Sequence, residues 1–235
     1  IGGFYNCSGG SAPLPAIKSL WRGLEARGVH AAGFAVGWMD ADQPVSVKQS
    51  GPAHRMFDKL SRYIDGSHTQ YVLLHTRYAT QGSTSKNGNN HPVCEHGFTT
   101  IHNGWVNNYE ELMNDFEVQY GISRVNEVDS ELLNVILKTE SIETIAEEVD
   151  GPVSLAWIDN KNAPMQVNLF TNGLNPLVIA RTKSNDIVWA STISILEASD
   201  FELDNWFHAS PFKVYSLNPD GTITSKFISG NRREA

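Results

Sequence analysis

An α+β fold is the class this sequence predicts, and three observations predict it. Short apolar runs bounded by turn formers dominate the first hundred residues around two helical segments. Helical spacings then occupy the middle of the chain, and from Val153 the pattern returns to strands. Strands, helices and strands in separate blocks argue for packed layers and against a regular βαβ alternation. No internal repeat, low-complexity tract or linker-like shift in composition divides the chain. Its 235 residues are therefore expected to form one domain over 1–235, long enough to bury a sizeable core.

In order, Ile1-Gly2-Gly3-Phe4-Tyr5 reads as a short strand. Ser11-Ala12-Pro13 opens a helix whose buried stripe is Leu14, Ile17, Leu20, Trp21 and Leu24, with Gly28 placed to end it. Paired strands follow at 31–39 and 44–49, then a helix at 56–64 on the spacing of Met56, Leu60 and Ile64. A strand at 71–75 precedes a polar loop at 83–90 of the kind from which active-site lids are drawn. After a strand at 98–101, the Asn107-x-x-Glu110 pattern resembles a capping box and predicts a helix over 108–116. Asp129-Ser130-Glu131 opens another helix, with Leu132, Leu133, Ile136 and Leu137 on one side, and Ser141 caps a third that closes before Gly151. Strands are expected at 153–158, 167–170, 177–180, 187–190, 213–217 and 222–227, separated by punctuation such as Pro219-Asp220-Gly221.

Bulk properties narrow the function. A formal net charge of −8 argues against a nucleic-acid backbone as partner, because phosphate recognition needs concentrated positive charge. The apolar runs fall far short of the roughly 20 residues that span a bilayer, and no signal-like start is visible, so no membrane association is expected. Two cysteines, Cys7 and Cys94, argue against a disulfide framework and set a reducing cytoplasm as the expected location.

The informative stretch is 75–104. It reads His75-Thr76-Arg77-Tyr78-Ala79-Thr80-Gln81-Gly82, then Asn90-His91-Pro92, then His102-Asn103-Gly104, with each outer block on an apolar strand. Polar side chains emerging where strands end are rigidly held and open to solvent. Arg77 offers a bidentate fork suited to a carboxylate. Asn103-Gly104 can be read as a hairpin turn or as a pair of donors for an oxyanion. His91, Cys94, His96 and His102 include ligand types that zinc takes, but their spacing matches no standard site, so no metal is expected. No P-loop or dinucleotide fingerprint is present, and no cofactor is expected.

These blocks, with Leu24-Glu25-Ala26-Arg27-Gly28, Ala32-Gly33-Phe34-Ala35-Val36, Asp129-Ser130-Glu131 and Asn175-Pro176-Leu177-Val178-Ile179, occur in an order that resembles the glutaminase domain of class II glutamine amidotransferases. Those are N-terminal-nucleophile (Ntn) hydrolases, and the resemblance is to the domains in glucosamine-phosphate synthase and amidophosphoribosyltransferase. It implies a four-layer αββα sandwich. It also implies that L-glutamine is the substrate, hydrolysed to glutamate and ammonia through a terminal cysteine thioester. Ile1-Gly2-Gly3 fits that family's start from its third position, which places the expected nucleophile two residues before Ile1. A terminal cysteine carries a free α-amine, with a reference pKa of about 7.7–8.0, to take its thiol proton.

The resemblance assigns the oxyanion hole to the Asn103 side chain and the Gly104 N–H, and places Arg27 near the nucleophile, where helix-end electrostatics is the competing reading. It assigns Arg77 to the substrate carboxylate and Asp129 to the α-ammonium, against a plain cap for Asp129. Thr76, Tyr78, Thr80, Gln81 and His91 are expected to complete the wall. Tyr78 and Gln81 depart from the tryptophan and histidine found at those places in some relatives, which leaves their direct contacts open. Two alternatives stand beside this reading: a hydrolase of a γ-glutamyl amide in another small molecule, and an inactive assembly subunit lacking the nucleophile. A separate synthase that accepts ammonia is the expected partner, and a homo-oligomer is allowed.

Overall fold

A computed structural model describes residues 1–228. The chain lays down β1 (Gly2–Tyr5), β2 (Ala31–Trp38), β3 (Val45–Ser50) and β4 (Thr69–Arg77) in one sheet. It crosses to a second with β5 (Phe98–Gly104), β6 (Val153–Asp159) and β7 (Ala163–Thr171). It then returns with β8 (Val178–Thr182), β9 (Ile187–Ala190) and β10 (Leu203–His208), and finishes the second sheet with β11 (Lys213–Leu217) and β12 (Ile223–Phe227). Both sheets are antiparallel, in the orders β10-β8-β9-β1-β4-β2-β3 and β12-β11-β7-β6-β5.

Helices α1 (Leu14–Leu24) and α2 (Phe57–Ser61) cover the outer face of the seven-stranded sheet. Helices α3 (Tyr109–Tyr120), α4 (Ser130–Thr139) and α5 (Ile142–Glu148) cover that of the five-stranded sheet, and α6 (Ile193–Glu197) returns to the first. Three apolar layers result. Because a strand alternates its side chains, β4 supplies two of them: Val72 and Leu74 meet Trp21 and Leu24 of α1, while Tyr71 and Leu73 enter the layer between the sheets. The αββα sandwich is the expected one.

Most expected elements are present, with shifted ends. The helix expected over 56–64 is reduced to α2, preceded by a 3-10 turn over Ala53–Met56. Tyr63 leaves the helix because its carbonyl accepts from Trp38 Nε1 at 3.0 Å and its ring packs on Phe34. The capping box at Asn107 is not formed. Asn108 occupies the cap position, and its amide reaches across to the Glu148 carbonyl and the Asp150 N–H instead. Strand β10 and helix α6 were not expected; β10 is an exposed edge strand whose sequence does not alternate. Among the described residues no helix is long and apolar enough to cross a membrane.

One close approach ties the sheet to the site. A Cβ on Gly33 of β2 would lie 2.1 Å from the His91 backbone carbonyl, so no larger residue fits without moving the His91 loop. Gly33→Ala is expected to destabilise the fold by about 1–3 kcal/mol, the usual cost of overpacking, as measured by urea unfolding.

Candidate active site

The ends of β4 and β5 meet the start of α4 at an open, polar cleft. Arg27, Thr76, Arg77, Tyr78, Thr80, Gln81, His91, Asn103, Gly104 and Asp129 all line it, so the structure brings together the residues that the family resemblance points to. His75, His102, Val128 and Ser130 line it too and were not assigned there. Period two would have found the histidines: His75 and Arg77 share a face of β4, and His102 follows Thr100 on the α4 side of β5.

Arg77 is buried, at 6% exposure, and has no carboxylate within salt-bridge distance among the described residues. Its guanidinium donates to Asn90 Oδ1 at 3.2 Å, to the Gly82 carbonyl at 3.2 Å and to the Gln81 carbonyl. Three of five N–H groups are thereby used, and two remain for a ligand. Burial lowers its pKa, and the negative charge of Asp129 opposes that. Asp129 sits at the cap position of α4 without capping it. Its Oδ2 accepts the Val106 N–H at 2.9 Å and its Oδ1 accepts from Ser130 at 3.3 Å.

Asn103 and Gly104 lie inside β5, opposite Ser154 and Val153, which rules out the hairpin-turn reading. The Asn103 carbonyl accepts from Asn175 at 2.9 Å, while its side-chain nitrogen is buried without a partner. Gly104 has φ 147°, and a Cβ there would lie 1.7 Å from the Pro152 carbonyl. Thr76 Oγ1 donates to the Leu24 carbonyl, which fixes α1 to β4 on the side away from the sheet interior. Tyr78, Thr80 and Gln81 are exposed at the rim, with Tyr78 against His30. Arg27 ends the 3-10 turn after α1 and also lines the cleft, so both positions proposed for it are compatible.

The four residues weighed as zinc ligands do not gather. His91 Nε2 and His102 Nδ1 turn to Ser130 Oγ, His96 pairs with buried Glu131 at 2.8 Å, and Cys94 is exposed. No trio of His, Cys, Asp or Glu among the described residues is placed to hold a metal ion. Glu131 instead organises the segment before Asp129, accepting the Val125 and Asn126 N–H groups at 2.7 and 2.6 Å. Burial alone would raise its pKa, but His96 and these two backbone donors outweigh burial and lower it.

Sandwich and cleft together define a class, the Ntn hydrolases. A family model described as a glutamine amidotransferase domain matches residues 75–198, more than half of the chain. The chain belongs to this family, the class II glutamine amidotransferases. It is 28% identical over 197 residues to the glutamine–fructose-6-phosphate aminotransferase (isomerizing) of Pyrobaculum aerophilum, a match covering 78% of this chain and 31% of that protein. The protein of the same name from Legionella pneumophila is 30% identical over 172 residues, covering 67% and 27%. The chain thus spans under a third of the length of these relatives.

Two solved structures share the fold. The glutamine phosphoribosylpyrophosphate amidotransferase from B. subtilis, complexed with ADP and GMP, superposes with a TM-score of 0.77 at 20% identity, over 97% of this chain and 49% of that one. A glutamine aminotransferase class-II domain protein from Silicibacter pomeroyi gives 0.59 at 16% identity, over 97% of both chains.

The cleft floor carries a pH signature. Burial pushes His75 and His91 well below the ordinary imidazole value of 6.5 and lowers His102, where the Asp129 charge partly compensates. Each of these groups binds a proton in the unfolded chain at a higher pH than in the folded one. Stability is therefore complete above about pH 6.5 and declines as pH falls below it, by up to about 1.4 kcal/mol per pH unit for each imidazole. Urea unfolding at pH 7.5 and pH 5 is expected to show that loss, with a shallower slope in His91→Gln.

Proposed function

We propose that residues 1–235 form one amidotransferase domain that hydrolyses L-glutamine to glutamate and ammonia through an N-terminal cysteine thioester, the ammonia passing to a separate synthase. The observation that carries this reading is the convergence on one cleft of a buried guanidinium without a salt-bridged carboxylate, the Asp129 carboxylate and an unpartnered side-chain amide. These groups complement an α-carboxylate, an α-ammonium and an oxyanion respectively.

Strand register supports the position of the thiol. Gly2 pairs with Leu74 and Gly3 with Leu73, so Ile1 lies opposite His75. Extending the strand two residues upstream sets that residue opposite Arg77 and, by alternation, on the same face. The Ile1 nitrogen is buried and donates to Ser191 Oγ at 2.9 Å, a setting suited to a peptide N–H.

In the reaction the α-amine of the cysteine takes the thiol proton and the thiolate adds to the γ-carbonyl. The oxygen becomes negative between Asn103 Nδ2 and the Gly104 N–H. The tetrahedral species then collapses, the nitrogen leaving as ammonia with the proton returned by the amine. Water, deprotonated by the same amine, attacks the γ-glutamyl thioester, and glutamate departs with the thiol restored.

With the terminal cysteine exposed as the first residue, the chain is expected to release ammonia from L-glutamine. Asn103→Ala should lower kcat about 10²–10³-fold, the usual effect of losing one oxyanion donor. Arg77→Ala should raise KM for glutamine instead. Intact-mass analysis is expected to find one adduct of a glutamine-like diazoketone on that cysteine. Hydrolysis that persists without the thiol would overturn the mechanism, and cleavage confined to other γ-glutamyl amides would reassign the substrate.

A further inference from the structure

Ser130 is the first residue of α4 and is buried beneath the cleft, at 1% exposure. Three side chains meet its single hydroxyl: His91 Nε2 at 2.9 Å, His102 Nδ1 at 3.0 Å and Asp129 Oδ1 at 3.3 Å. A hydroxyl has one proton to give and two lone pairs to receive. A carboxylate only accepts, so the Ser130 proton goes to Asp129 and both imidazoles must donate to Oγ. His91 is therefore the Nε2–H tautomer and His102 the Nδ1–H tautomer. His75 follows by the same logic, because its Nε2 lies 2.9 Å from the His102 carbonyl, which only accepts. The remaining nitrogens, His75 Nδ1, His91 Nδ1 and His102 Nε2, are left as bare acceptors, and all three are buried without a hydrogen-bond partner.

The competing arrangement puts the His102 proton on Nε2, towards the Pro152 carbonyl. Ser130 would then have to turn its only proton to His102 Nδ1, and Asp129 Oδ1 would face a hydroxyl lone pair at 3.3 Å. His102 Nδ1 lies 3.0 Å from Ser130 Oγ whereas Nε2 has no partner of hydrogen-bond geometry, and that difference favours the first network.

We propose that Ser130 is a positioning residue of the amino-acid site, whose hydroxyl aims the Asp129 carboxylate and fixes the tautomers of His91 and His102. Asp129 is then held through both oxygens, by Ser130 on one and by the Val106 N–H on the other. One hydroxyl thereby joins three segments far apart in sequence: the loop after β4, the strand that carries Asn103, and the start of α4. The role rests on the glutamine reading for its ligand, while the tautomers do not depend on it.

The test combines a spectrum and a binding constant. Two-bond ¹H–¹⁵N correlation spectra of the ¹⁵N-labelled full chain, assigned with single His→Gln variants, are expected to show protonated Nε2 on His75 and His91 and protonated Nδ1 on His102. Calorimetry should find that Ser130→Ala weakens L-glutamate binding about tenfold or more and mixes the His102 tautomers, while Ser130→Thr stays within about threefold of the native chain. A native His102 protonated on Nε2, or folded Ser130→Ala with unchanged affinity, overturns the proposal. If Ser130→Ala does not fold, the native tautomers and the threonine variant decide. The expected tautomers in a chain without glutaminase activity would count against the functional reading alone.

Discussion

A guanidinium buried in protein needs either a carboxylate or a set of neutral acceptors, and among the described residues Arg77 has only the second. Asn90 and two backbone carbonyls hold the group in place without neutralising it. Two donors and a full positive charge are left at the cleft, in a setting where burial magnifies any interaction with an anion. Much of the nearby architecture serves this arrangement. Asn90 is buried and its own amide donates to the Thr84 carbonyl, so the polar loop after β4 is folded around the arginine.

The same strands build the core and the site, which explains how rigid the site is. Tyr71 and Leu73 lie between the sheets, and two and four residues further along the same face of β4 come His75 and Arg77. Thr76, on the opposite face, anchors to the end of α1, and Trp21 Nε1 donates to the His75 carbonyl at 3.0 Å. On β5, Ile101 packs between the sheets just before Asn103 turns its amide towards the cleft. Moving either functional strand end therefore means disturbing a packed layer, and functional precision is supplied by core packing.

Much of this was legible from residue order alone. The residues named from the three blocks over 75–104, from the Asp129 triplet and from the segment around Arg27 line one cleft, and short-range motifs keep most of them close. What stayed hidden depends on long-range partners. Ser130 reads as a helix-start serine until His91 and His102, 39 and 28 residues away, are seen to share its hydroxyl. A plain cap was the competing reading of Asp129, yet its carboxylate is turned to Val106 and Ser130. The Asn107-x-x-Glu110 capping box failed for the same reason: Asn108 takes the cap position, and its side chain is engaged by the segment at 148–150. β10 was missed because an exposed edge strand has no buried face to impose alternation.

The central claim is that Arg77 and Asp129 hold a free amino acid at both of its charged ends, and it can be tested without any chemistry taking place. Calorimetric titration with L-glutamate, glutarate and γ-aminobutyrate separates the two ends, since the second lacks the α-ammonium and the third the α-carboxylate. The account predicts that L-glutamate binds and that each truncated ligand binds at least about tenfold more weakly, the loss expected for one charge-assisted contact. Equal affinity for all three would show that the cleft does not read the two charged ends together.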